Sequence, residues 1–162
     1  MHEAKLAEAV ALRNRGDREG SRRILVQLAI ADPSNPQILY QCAWTHDAMG
    51  KESEAIDYYQ RAISCGLNGD DLARAYLGLG STLRNLGQYQ RALEVLEVGI
   101  TKFPHKRSLH VFWAMALYNT GRAKEAISDL LRLLLETTSD PDISQFERAI
   151  LLYAADLDRV WK

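Results

Sequence analysis

Cysteine is nearly missing from this chain: Cys42 and Cys65 are the only two in 162 residues. They lack metal-type spacing, and a secreted disulfide framework would need more of them. Two reduced thiols in a cytoplasmic protein are the expectation. Charge of one sign is missing as well. Lys and Arg number 20 against 21 Asp and Glu, a formal net charge of −1, so no strong field draws the chain to nucleic acid or an acidic membrane. No run approaches the ~20 apolar residues of a membrane span. Met1-His2-Glu3-Ala4-Lys5 has none of the apolar core of a secretory leader.

Chemistry-bearing constellations are also scarce. There is no phosphate-cradling glycine loop and no Ser/His/Asp arrangement. Of the four histidines, His105 and His110 lie five apart, whereas metal ligands on one helix want a spacing of three or four. With Lys102, Lys106 and Arg107 around them, they read as a solvated loop. Cys42 and His46 fall in apolar columns and read as packing, or for His46 as groove lining, since a nucleophile needs a paired base nearby. No catalytic residue, cofactor or metal is expected, and the chain is not expected to be an enzyme.

Glycine, by contrast, recurs with a period. Gly50-Lys-Glu-Ser-Glu-Ala55-Ile56, Gly87-Gln-Tyr-Gln-Arg-Ala92-Leu93 and Gly121-Arg-Ala-Lys-Glu-Ala126-Ile127 are copies of one phrase, and Gly16-Asp-Arg-Glu-Gly-Ser21-Arg22 is a fainter one. The glycines are 34, 37 and 34 residues apart. A fixed period of this length marks an array of one small unit. Seven residues before each glycine stand Ala9, Ala43, Gly80 and Ala114; five after stand Ser21, Ala55, Ala92 and Ala126; nine after stand Leu25, Tyr59, Leu96 and Leu130. Spacings of three and four on both sides of the glycine predict two helices, each with one apolar stripe. Glycine suits the turn between them because it accepts positive φ past a helix end. Pro33 and Pro104 close two of the units. The recurring small residues let helix axes approach closely.

These columns, the small-residue positions and the closing proline resemble the tetratricopeptide repeat, over about residues 2–136. The resemblance implies an all-α, right-handed superhelical solenoid of about four helix–turn–helix units, of the kind seen in small bacterial proteins. The units are expected at about 2–35, 36–72, 73–106 and 107–140, with a capping helix at about 142–161, all in one domain 1–162. It further implies that the first helices line a concave face that holds peptides or other proteins.

Departures from the pattern carry their own expectations. Ser21 and Arg22 give the first unit a more polar character, as a terminal cap needs. Between Cys65 and Asp71 the second unit lacks its proline and has three extra residues, enough for a further helical turn or a longer loop, with Asp70 or Asp71 as N-cap. After the fourth unit, Thr137 to Pro141 reads as a loop with Ser139 or Asp140 as N-cap and Pro141 in the first turn. Phe146, Ala149, Ile150, Tyr153, Ala154, Leu157 and Trp161 then form the stripe of the last helix. Leu130, Leu131, Leu133, Leu134 and Leu135 make the preceding helix apolar nearly all round, so the last helix is expected to cover it.

Helical geometry gives the inner stripe of each first helix. From it the expected partner-binding residues are Arg13, Asn14, Tyr40, Trp44, Arg74, Arg84, Asn85, Phe112, Met115, Tyr118 and Asn119. Aromatics and arginine are the types enriched where interfaces gain their energy. The asparagines admit two readings, a clamp on an extended peptide backbone or a helix stop. Tyr40 and Trp44 equally admit groove lining or internal packing. Family members that hold chaperone tails carry a charged carboxylate clamp; the matching positions here are Leu6, Val10, Gln41, Arg74 and Gly78, and only Arg74 keeps the charge. Two functions follow from the resemblance: a protein-interaction module with a peptide or partner protein in its groove, or a self-associating homodimer formed through exposed apolar surface.

Overall fold

The computed structural model describes residues 2–160, and every regular element among them is a helix. Four helix pairs follow one another: α1 (His2–Asn14) with α2 (Arg18–Ala31), α3 (Pro36–Asp47) with α4 (Glu52–Ser64), α5 (Gly69–Asn85) with α6 (Tyr89–Lys102), and α7 (Arg107–Asn119) with α8 (Ala123–Thr137). Two further helices end the chain, α9 (Pro141–Ser144) and α10 (Glu147–Ala155). Each second helix packs on its own partner, and α2, α4 and α6 also pack on the next first helix.

The turns show why the period exists. Gly16, Gly50, Gly87 and Gly121 have φ of +93°, +69°, +73° and +81°, the left-handed region that a Cβ disfavours. In each turn the amide after the glycine donates to the carbonyl five residues back. Asp17 bonds Leu12 at 3.0 Å, and Lys51–His46, Gln88–Leu83 and Arg122–Leu117 are each 2.9 Å. This is the reverse-turn closure that satisfies orphan carbonyls at a helix end. Gly66, at φ +90°, repeats it between α4 and α5, where the Leu67 amide bonds Ala62 at 3.1 Å.

Packing follows the small columns. Ala9, Ala43, Ser21, Ala55 and Ala92 are fully buried. At Gly80 a Cβ would stand 2.5 Å from Leu96 Cγ, so only glycine lets α5 and α6 close at that point.

The three extra residues of the second unit lengthen α5, which spans 17 residues. Asp70 and Asp71 lie in its first turn; its N-cap is Asn68, not either aspartate. Asp70 instead reaches Lys106 at 2.8 Å, tying the extra turn to the loop after α6. The basic cluster near His105 is likewise engaged: Arg107 approaches Glu136 at 3.6 Å and His110 Nδ1 lies 3.1 Å from Asp129.

The C-terminal region departs from the expected single helix at about 142–161. Asp140 is the N-cap, accepting from the Asp142 amide at 2.9 Å, and α9 ends after one turn. Gln145 Nε2 bonds Asp142 Oδ1 at 3.0 Å and Ser144 Oγ bonds the Asp140 carbonyl at 3.0 Å. Such local side-chain bonds compete with helix continuation. At the far end Asp156 Oδ1 accepts from the Asp158 amide at 3.1 Å, and the helix stops there. Trp161 lies outside the described residues. α10 packs on α8, with Ser128 Oγ donating to the Ala154 carbonyl at 2.6 Å. Its coverage is partial: Leu130 and Leu134 stay exposed.

Candidate partner-binding groove

The first helices form one continuous layer. α1 touches α3, α3 touches α5 and α5 touches α7, whereas α2, α4, α6 and α8 make no comparable contacts with one another. Helices that crowd together on one side of a stack lie on its inner curve, so α1, α3, α5 and α7 line the concave face.

A polar ladder crosses this face. The residue three before each turn glycine reaches the next unit's first helix. Arg13 donates to Thr45 Oγ1 at 3.2 Å, Asp47 Oδ1 accepts from Thr82 Oγ1 at 3.0 Å, and Arg84 Nε donates to Asn119 Oδ1 at 2.8 Å. The fourth member of the column, Tyr118, has no such partner and is 70% exposed.

Arg13 is buried, only 7% exposed, with its guanidinium 3.9 Å from the centre of the Trp44 ring. No carboxylate pairs with it in the structure, and desolvation lowers its pKa. A cation of this kind is held by the ring quadrupole and by its hydrogen bonds. Arg13 therefore backs the groove rather than facing a partner. Tyr40 is core: it is 2% exposed, with ring centres 6.1 Å from Trp44 and 6.4 Å from Tyr59. Trp44, 40% exposed, is the member of this stack that presents surface. Replacing Arg13 by Met keeps the stem and removes the charge. The expected loss is about 1–3 kcal/mol of unfolding free energy, read by urea denaturation; a variant as stable as the wild type would remove Arg13 from the scaffold.

The remaining expected residues divide by environment. Met115 is exposed and Phe112 half-buried. Arg74 is exposed and lies 3.7 Å from Asp71 on its own helix. Asn14, Asn85 and Asn119 are the last residues of α1, α5 and α7, and the Asn119 carbonyl is occupied by Arg84.

Asp47 lies on the inner stripe but was not among the expected binders. Its carboxylate is half-buried, and no cation among the described residues pairs with it. Thr82 has one hydroxyl proton to divide between Asp47 and the Gly78 carbonyl at 2.7 Å. The Tyr59 hydroxyl is distant, at 3.5 Å. Burial accordingly pushes the Asp47 carboxyl above the usual range. The signal in the sequence was the column itself, where Arg13, Asp47 and Arg84 alternate in sign. At the N-terminal end of the face, a depression of about 420 Å³ is lined by Leu6, Ala7, Val10 and Gln41. Gln41 Oε1 is buried without a hydrogen-bond partner.

Burial pushes the Cys42 thiol up to about 12, so it is not a nucleophile at neutral pH. Among the described residues no group of three His, Cys, Asp or Glu side chains could hold a metal. Among the same residues no helix is long and apolar enough to cross a membrane.

A family model described as tetratrico peptide repeat matches residues 36–157. Among solved structures, a crystal structure of MamA superposes with a TM-score of 0.75 at 19% identity, covering 99% of this chain and 79% of that one. MamA from residue 41 to its end, from Desulfovibrio magneticus RS-1, gives 0.73 at 19%, covering 96% and 89%. YrrB, described as a TPR protein with an unusual peptide-binding site, gives 0.74 at 19%, covering 96% and 77%. At such identities the likeness establishes the fold.

Proposed function

The chain belongs to the tetratricopeptide repeat family, and on that premise we propose that it is a non-enzymatic protein-interaction module holding a peptide or partner protein in the groove of α1, α3, α5 and α7. One observation carries the reading: an exposed indole, Trp44, is braced from behind by Arg13 and stands one turn from the unneutralised carboxylate of Asp47. A rigid aromatic beside an unpaired charge is poor design for a solvent-facing surface and good design for an occupied one. Met115 and Tyr118 extend the apolar surface over the fourth unit. The partner that fits is an extended segment with apolar side chains over Trp44 and Tyr118 and a basic group over Asp47. The peptide-binding site described for YrrB supports this use of the fold. The proposed setting is the cytoplasm, supported by two free thiols, one of them exposed.

Selection from a displayed random-peptide library tests the reading. Peptides enriched on the wild type should bind the Trp44→Ala, Tyr118→Ala double variant at least about thirtyfold more weakly, since truncating an interface anchor costs about 2 kcal/mol or more. Equal binding by the double variant would sink the groove assignment. Self-association has separate support, at the C-terminal end of the stack.

A further inference from the structure

The fourth unit is finished differently from the other three. Nine residues past their turn glycines, Leu25, Tyr59 and Leu96 are buried by their own unit and the next first helix, whereas Leu130 is exposed. Ile127 and Leu134 share its stripe on α8 and are exposed as well. α10 lies on α8 but makes no comparable contact with α7, so it does not fill the place a further first helix would take. It adds apolar surface of its own. Ile150 and Ala154 turn toward α8, while Leu152 is 44% and Tyr153 51% exposed, with Leu151 beside them. Singly exposed leucines are ordinary; a run of them over two adjacent helices marks an interaction site.

At the opposite end of the stack the groove between α1 and α2, about 690 Å³, mixes Lys5, Glu8, Asp17 and Arg23 with Leu12, Ile24, Leu28 and Ala31. A two-fold pairing that sets like end against like end closes the assembly at two copies, whereas head-to-tail stacking would extend it. The outer stripe of α10 is itself suited to that. Arg148, Leu151, Leu152 and Ala155 follow the i, i+3, i+4, i+7 spacing. If two such helices cross antiparallel about Leu152, Arg148 of each stands at the C-terminal end of the other, beside Asp156. There it meets both a carboxylate and the negative end of the helix dipole. Among the described residues of one copy neither Arg148 nor Glu147 forms a salt bridge.

We propose that two copies of this chain associate through the exposed faces of α8 and α10, as a closed two-fold dimer with α10 against α10. The inference does not rest on the groove reading. It leaves both concave faces open, so the assembly presents two equivalent grooves and binds a divalent partner more tightly than one groove alone.

Sedimentation equilibrium over a hundredfold concentration range tests it. The wild type should approach twice the chain mass and go no higher. Leu152→Glu, at an exposed position where the fold survives the change, should be a monomer with unaltered circular dichroism. Arg148→Asp and Asp156→Arg should each weaken dimerisation at least tenfold, and the two combined should restore it. The Trp44→Ala, Tyr118→Ala variant should dimerise as the wild type does, which separates this surface from the groove. A wild type that stays monomeric, a mass that grows past the dimer, or a dimer that survives Leu152→Glu would each overturn the proposal. Failure of the double reversal to restore association would overturn the two-fold pairing of α10.

Discussion

Leu83→Ala should lower the free energy of unfolding by about 2–5 kcal/mol, a fall of roughly 5–15 °C in melting temperature for a chain of this size. Leu83 is fully buried one turn before Gly87, and its carbonyl closes the turn by accepting from the Gln88 amide at 2.9 Å. It sits on α5, which contacts α3, α4, α6 and α7. Leu83 belongs to the main core cluster, whose members are held by their own neighbours, so little of a cavity opened there can collapse. In a stacked array stability is close to a sum of units and nearest-neighbour interfaces, and α5 contributes to the interfaces on both sides. The matched control is Leu134→Ala, the same deletion on the exposed stripe of α8, with an expected cost under about 1 kcal/mol when measured at concentrations where the chain is monomeric. Urea titrations of both variants, followed by circular dichroism, make the comparison. Similar losses in the two would mean that the middle of the stack holds no privileged core.

The fold was legible because every unit needs the same few things at the same spacing. A left-handed turn residue, two small contacts and one large apolar plug recur at fixed distances from Gly16, Gly50, Gly87 and Gly121, and each has a distinct steric cause. What periodicity does not carry is depth. It assigns a residue to a face of a helix, and it assigned Arg13 and Tyr40 to the concave face along with Trp44. Yet the gap between successive first helices is narrow there. The long stem of Arg13 runs into it to reach Thr45, and Tyr40 turns into the core against Tyr59 of α4. The break between α9 and α10 was hidden for another reason. The apolar stripe begins only at Phe146, just past the break, and the interruption comes from local bonds of Ser144 and Gln145. Asp47 is inconspicuous in the sequence because interface anchors are enriched in aromatics and arginine, not in aspartate. Its importance lies in a missing partner, which a sequence does not show.

Asp47→Asn should make the protein more stable at pH 7 and a poorer binder. The carboxyl is half-buried and its pKa is raised chiefly by desolvation, against which the hydroxyl of Thr82 works in the other direction. Folding therefore favours the protonated form. Below the ordinary aspartate range both folded and unfolded chains are protonated and the group costs nothing. As pH rises through the raised folded value, the unfolded chain has already released its proton and the folded chain must follow at a penalty, so stability declines over that window. Asparagine keeps the shape and an acceptor for Thr82 without the charge. Its advantage should be present at pH 7 and disappear near pH 3, as read from urea midpoints at the two pH values. An equal gain at both would place the effect in packing rather than in ionisation. The binding half of the prediction runs opposite. Peptides selected on the wild type should lose about tenfold or more in affinity when the carboxylate they neutralise is gone, the scale of a hydrogen bond to a charged group. Unchanged affinity would remove Asp47 from the groove's chemistry. A charge that weakens the free protein persists in a groove when the bound state neutralises it, and the two opposite signs on one substitution are what distinguish that case from a passive surface aspartate.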